Sequence, residues 1–362
     1  MPTEAENLRP VKQEKTPDAP KTSQFVSGLL RWNHEENQRD MPWKGEKNPY
    51  RIWLSEVILQ QTRVEQGLKY YENFIRAFPD VQSLAAAPED QVFKQWEGLG
   101  YYSRCRNLIA AARIIANEMN GEFPKDYETI LKLKGVGSYT ASAIASFAYN
   151  LPHAVLDGNV FRVLSRVFDL ETPVDSTEGK KIFSSFAQSI LPAERPAEYN
   201  QAIMDFGATV CKPSPDCARC FFNHGCLGFL KGKQKALPIK EKKGRVRVRH
   251  FNYFVLRYKD QIAVQKRKSK DIWQELFEFP MLEKNEQTPK LLDDFKKQTG
   301  IRYRLVSENS SSQRLTHQLI HFRFIELELE EKTDGFQWTE RAQLGSLTFP
   351  RTLKQFIALG LP

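Results

Sequence analysis

LKLKGVGSYTASAIASFA, residues 131–148, is the stretch on which the fold turns. A short apolar helix runs into Gly135-Val136-Gly137, and an alanine-rich helix starts directly after it. Glycines allow a tight turn with exposed backbone N–H groups, and the N-terminus of the next helix can then receive a phosphate. Taken alone, the same pattern is equally an ordinary helical hairpin.

Downstream lies LDGNVFRVLSRVF, residues 156–168, in which Asp157 precedes Gly158-Asn159 and another helix. An aspartate in that place is a natural N-cap, whatever else it does. Upstream lies WLSEVILQQTRV, residues 53–64, with Glu56 among Trp53, Val57 and Leu59. A carboxyl group against an apolar surface has a raised pKa and can hold a proton at neutral pH. The plainer alternative is an exposed helical glutamate paired with Arg63.

Further helices are expected on both sides. SQFVSGLLRWNHEE (23–36), YRIWLSEVILQQTRVEQGLKYYENFIRAF (50–78) and CRNLIAAARIIANEM (105–119) repeat apolar residues at helical spacing. FPD at 78–80, GLG at 98–100 and NGEFPKD at 120–126 punctuate them. Residues 23–230 therefore read as one helical domain. Past 250 the pattern changes. FNYFVLRYKDQIAVQKRK (251–268) predicts a hairpin turning at Lys259-Asp260, HQLIHFRFIELELE (317–330) a strand, and TPKLLDDFKKQTG (288–300) a helix closed by glycine. The fold class is multidomain, all-α followed by mixed α/β over 251–362.

Four of the five cysteines, Cys211, Cys217, Cys220 and Cys226, form a C-x5-C-x2-C-x5-C loop. Such clustering in a chain without an export signal favours metal over disulfides, and suits either a [4Fe–4S] cluster or a structural zinc. Between the domains, residues 231–250 (KGKQKALPIKEKKGRVRVRH) carry nine lysines and arginines against one glutamate. The block is either a polyanion-binding linker or a merely solvated one. Residues 1–22 are polar and proline-rich and read as a disordered tail without signal-peptide character. No apolar run spans a bilayer, so a cytoplasmic location is expected.

In combination, WLSEVILQQTRV, GLGYYSRCRNL, LKGVGSYTASAI, LDGNVFRVL and the cysteine loop resemble, in order and spacing, the helix-hairpin-helix glycosylases, and the MutY-type adenine DNA glycosylases in particular. The likeness is strong over 23–230 and weaker beyond. It implies that Glu56 protonates the departing adenine and that Asp157 stabilises the cationic sugar. Asn159 would orient water and carboxylates, and Tyr139 would stand where strand-cutting relatives have a Schiff-base lysine. It implies an adenine pocket lined by Arg39, Trp43 and Gln201, a base-stack wedge of Gln61, Leu99 and Tyr101, and a phosphate held by Gly135, Val136 and Gly137. It further implies a [4Fe–4S] cluster on the four cysteines, although Lys212–Asp216 makes the first spacing five residues where the family usually has six.

The C-terminal region resembles the family's Nudix-like domain, but MLEKNEQTPKLLDDFKKQTG lacks the glutamate-rich metal helix of a working Nudix hydrolase. The resemblance implies a reader of 8-oxoguanine instead, with Thr316 and His317 in its contact loop and Leu315 where the family often has phenylalanine. The expected partner is double-stranded DNA containing A:8-oxoguanine or A:G mispairs, bound by a nucleoid-associated monomer. Rival readings are a glycosylase/lyase of the endonuclease III type, against which Tyr139 counts, and a non-catalytic DNA-binding protein, against which Glu56 and Asp157 count. An active Nudix phosphohydrolase is opposed by the missing glutamates.

Overall fold

The computed structural model describes residues 19–241 and 246–359. Most of the segment read as a disordered tail therefore lies outside the described residues. Its last part does not fit that reading: helix α1 (Ala19–Glu35) already begins at Ala19.

The helical region continues with α2 (Pro49–Leu59), α3 (Val64–Ala77), α4 (Val81–Ala86), α5 (Glu89–Trp96), α6 (Ser103–Glu118), α7 (Tyr127–Lys132), α8 (Ser138–Tyr149), α9 (Gly158–Phe168), α10 (Thr177–Ile190), α11 (Pro196–Thr209) and α12 (Leu227–Leu230). Local chemistry sets several starts. The Asn48 side chain accepts from the amides of Tyr50 and Arg51, with Pro49 in the first turn of α2. Asp80 and Ser83 form a reciprocal capping box on α4. The amphipathic stretch 50–78 is two helices, not one: the chain breaks after Leu59, and Gln61 adopts a left-handed φ of 59°.

After the helices come β1 (Arg247–Tyr258), β2 (Gln261–Lys266), β3 (Phe277–Glu278), β4 (Met281–Glu283), α13 (Thr288–Thr299), β5 (Arg304–Arg314), β6 (Gln318–Glu328), β7 (Gln337–Glu340) and α14 (Arg351–Ala358). The hairpin turns at Lys259-Asp260 as expected, with Tyr258 opposite Gln261. The sheet order is β3-β2-β1-β6-β5, with β4 on β1 and β7 on β2, and β1 and β6 are parallel. One face packs Phe254 and Ile325 against Leu291 and Phe295 of α13; the other packs Tyr253 and Phe324 against Leu353 and Phe356 of α14. A sheet buried on both sides needs long apolar strands, and β1 and β6 supply them. Gly300 closes α13 at a φ of 69°.

The described residues form two compact units. One gathers the chain through Lys47 with Ala141–Glu241; the other joins Asn48–Thr140 to the C-terminal region. Within the second unit, the Lys94 ammonium reaches the Gly345 carbonyl at 2.7 Å, and the Arg106 guanidinium reaches the Gln274 carbonyl at 2.8 Å. Lys266 pairs with Asp90 at 2.7 Å.

Candidate active site

In the first unit, Asp157 is the N-cap of α9. Its Oδ1 accepts the Val160 amide at 2.7 Å, and its Oδ2 accepts the Asn159 side-chain amide at 2.9 Å. Removal from water raises the Asp157 pKa above the usual aspartate value, while these two donors pull the other way. One oxygen of this carboxylate thus caps the helix, and the other is held by the Asn159 side chain. Asn159 is itself gripped: its side-chain oxygen Oδ1 accepts from Arg162, whose guanidinium also reaches the Gly207 backbone carbonyl, both at 2.7 Å, and the Cys211 backbone carbonyl at 2.8 Å. Helix α11 comes close to Asn159 because residue 207 has no side chain; a Cβ there would lie 2.7 Å from the Asn159 Cβ.

Arg39 and Gln201 meet on Asp205, which is fully buried. Asp205 Oδ1 accepts from Arg39 at 2.8 Å and from Gln201 at 2.9 Å; Oδ2 accepts from Asn37 at 2.9 Å and pairs with Lys44 at 3.1 Å. A buried carboxylate is tolerated only with such partners, so Asp205 organises the pair that the sequence pattern singled out without it. Trp43 is half-buried between Arg39 and Lys44 in sequence.

Cys211, Cys217, Cys220 and Cys226 all line one cavity, together with Phe206, Phe222 and Arg166. Burial, the main cause, pushes the Cys220 thiol up to about 11, and the other three thiols add to it. Arg166, itself buried, donates to the carbonyls of Lys212 at 2.6 Å, Pro213 at 3.0 Å and Leu237 at 3.1 Å, and so pins the shortened first span of the loop. Among the described residues, no three histidine, cysteine or acidic side chains stand close enough to hold a single metal ion.

In the second unit, Glu56 is buried on α2, and Tyr139 is half-buried in the first turn of α8. Gly135 takes a φ of 76°, and a side chain there would strike Asn107 at 2.5 Å; Val136 is buried, and Gly137 faces open space. Gln61 is exposed, Leu99 is buried at 6% exposure, and Tyr101 is exposed at 48% with a left-handed φ of 48°. Leu99 thus packs inward, while Gln61 and Tyr101 project. Thr316 and His317 are exposed in the tight turn between β5 and β6.

The basic block is less uniform than its composition. Lys231 and Lys233 pair with Asp169, and Arg249 is buried against Glu283 and Asp271 in β1, so these charges are spent within the chain. Lys242, Lys243 and Arg245 lie outside the described residues.

Asp205, Arg162, Arg166 and Arg104 are the functional candidates that sequence reading missed. The available signal was a charged residue inside an otherwise apolar helix, as in VFRVLSRVF and AIMDFGA.

A helix-hairpin-helix fold that presents a capped carboxylate, a glycine hairpin and a four-cysteine loop defines a base excision DNA glycosylase. The chain matches the HhH-GPD superfamily of base excision DNA repair proteins over residues 54–188 and the NUDIX domain over 252–359. It is 38% identical over 258 residues to the adenine DNA glycosylase of Buchnera aphidicola subsp. Baizongia pistaciae, covering 71% of this chain and 73% of that one. It is also 38% identical over 230 residues to the human adenine DNA glycosylase, covering 61% and 42% of the two chains. A thermostable thymine-DNA glycosylase superposes with a TM-score of 0.54 at 27% identity, over 59% of this chain and 98% of that one. The chain belongs to the adenine DNA glycosylase family. No helix among the described residues is long and apolar enough to cross a membrane.

Proposed function

We propose that this chain is a monofunctional glycosylase of base excision repair that hydrolyses the N-glycosidic bond of adenine mispaired with 8-oxoguanine or guanine. The observation that carries the reading is the Asp157 carboxylate, partly desolvated and oriented by Asn159 and the Val160 amide. Breaking the bond leaves positive charge on the sugar, and a fixed carboxylate offsets it. Adenine departs readily only when protonated, and the buried Glu56 is the group to hold that proton. Glycoside cleavage by a pair of carboxylates needs no amine. Tyr139, a phenol, cannot form the Schiff base through which a lyase cuts the strand.

Cys211, Cys217, Cys220 and Cys226 would hold a [4Fe–4S] cluster. All four line one cavity, and four thiolates in one loop are the ligand set such a cluster takes. When bound, it cross-links a loop too small to fold alone. The C-terminal domain, 251–362, reads the lesion through Thr316 and His317; the segment 231–250 links it to the glycosylase domain, 23–230. The partner is duplex DNA, met by a monomer in the cytoplasm. Gly135, Val136 and Gly137 bind a phosphate, Gln61 and Tyr101 open the stack with Leu99 packed inward behind them, and Arg39, Trp43 and Gln201 line the base pocket.

The test is single-turnover excision on duplexes containing A:8-oxoguanine, A:G and A:C. Glu56→Gln should lower the chemical step by about 10²–10⁴ while duplex affinity is kept. Near wild-type excision by that variant would remove Glu56 as the acid. Strand cutting with a borohydride-trapped adduct would end the monofunctional reading. Metal analysis should give about four irons per chain; one zinc instead would overturn the cluster.

A further inference from the structure

Gln61 and Tyr101 both have left-handed backbones, at φ of 59° and 48°, and lie on separate loops. Neither residue type favours that conformation, so something outside each loop must hold it. The same side chain reaches both. Arg104, buried at 8% exposure, donates from Nη1 to the carbonyls of Val57 at 2.8 Å, Ile58 at 2.9 Å and Gln60 at 2.6 Å. Its Nη2 donates to the Gly100 carbonyl at 3.1 Å and approaches the Thr62 hydroxyl at 3.5 Å. The guanidinium carbon lies 5.0 Å from the Trp96 ring centroid and 5.7 Å from that of Tyr101.

The chemistry suits the position. The last carbonyls of α2 lack helical partners, and a cation there also complements the helix dipole. A planar fork with several donors can serve two loops at once, whereas a lysine offers one nitrogen. Burial lowers the Arg104 pKa only to about 10, so the charge persists at neutral pH.

We propose that Arg104 is the positioning residue of the wedge: one buried guanidinium locks the Gln61 and Tyr101 loops to each other, so that both side chains enter the base stack together. This rests on the reading of Gln61 and Tyr101 as the wedge.

The experiment uses the full chain and a duplex carrying 2-aminopurine beside an A:8-oxoguanine mispair. Its fluorescence reports unstacking, and single-turnover excision is followed in parallel. Arg104→Lys should keep its circular dichroism and bind undamaged duplex within about twofold, since the groups that meet phosphate are untouched. It should lose the unstacking signal and about a hundredfold in excision, the scale of a small misplacement. In a Gln61→Ala/Tyr101→Ala background the same substitution should add little. Full additivity there would make Arg104 a plain structural residue, and wild-type unstacking by Arg104→Lys would overturn the proposal directly. Intact unstacking in Gln61→Ala/Tyr101→Ala would instead sink the wedge reading, and this inference with it. Should Arg104→Lys not fold, hydrogen exchange on the wild type decides: amides at 60–62 and 99–101 must open together, and independent opening refutes the lock.

Discussion

The hydroxyl of Tyr101 lies 2.6 Å from Oγ1 of Thr316, although 215 positions separate them in the chain. A residue proposed to enter the base stack therefore holds a residue proposed to read the opposite base, and Arg104 carries the ring of the same tyrosine. A neutral hydrogen bond of this kind is worth about 1 kcal/mol, or roughly fivefold in an equilibrium.

The first prediction follows from that bond. Tyr101→Phe and Thr316→Val should each reduce the preference for A:8-oxoguanine over A:G by about fivefold, and the double variant should lose no more than either single one. Competition binding on the two duplexes measures it. Additive losses would mean that the two hydroxyls act independently.

The second concerns pH. In the proposed mechanism Asp157 must be ionised to offset the sugar cation, and its pKa stands above the usual aspartate value because it is desolvated. Excision should therefore fall on acidification at a pH above that of an ordinary aspartate. The Asn159 amide favours the charged form by donating to Oδ2. Asn159→Ala removes that help, so the acid limb of the single-turnover profile should move to higher pH. A limb that stays in place, or moves down, would detach Asn159 from Asp157.

The third tests the approach of α11 to Asn159. In Gly207→Ala the new methyl would sit 2.7 Å from the Asn159 Cβ and 3.1 Å from its carbonyl oxygen, too close without a shift. Overpacking of this kind costs about 1–3 kcal/mol. Excision should drop more than thermal stability does, because the displaced group is the one orienting Asp157. Wild-type kcat in Gly207→Ala would show that Asn159 tolerates displacement.

The fourth separates the charges of the basic block. Lys231 and Lys233 are already paired with Asp169, so their neutralisation should barely alter the salt dependence of DNA binding. Neutralising Lys240, Lys242 and Lys243 should flatten the slope of log K against log salt by about 0.9 for each phosphate that no longer meets a cation. The reverse order of effects would place the DNA-binding charges at the other end of the segment.

How much of this was legible beforehand divides by range. Asp157 before Gly158-Asn159, the glycines of 135–137, the turn at Lys259-Asp260 and the closing Gly300 are local signals. Each depends on the backbone preference of one residue or on a side chain bonding an amide three positions away. The sequence by itself determined those elements, the helical and mixed regions, and the four cysteines that share a cavity. It did not reveal the break between α2 and α3, because apolar periodicity runs straight through 50–78. At that break Arg104, 44 positions away, bonds the Gln60 carbonyl. Tertiary structure alone also decided that Asp205 would draw Arg39 across 166 positions, and that Arg162 would tie Asn159 to the Cys211 carbonyl. Buried charges must find partners wherever the fold offers them, and a partner's distance along the chain leaves no mark in local spacing.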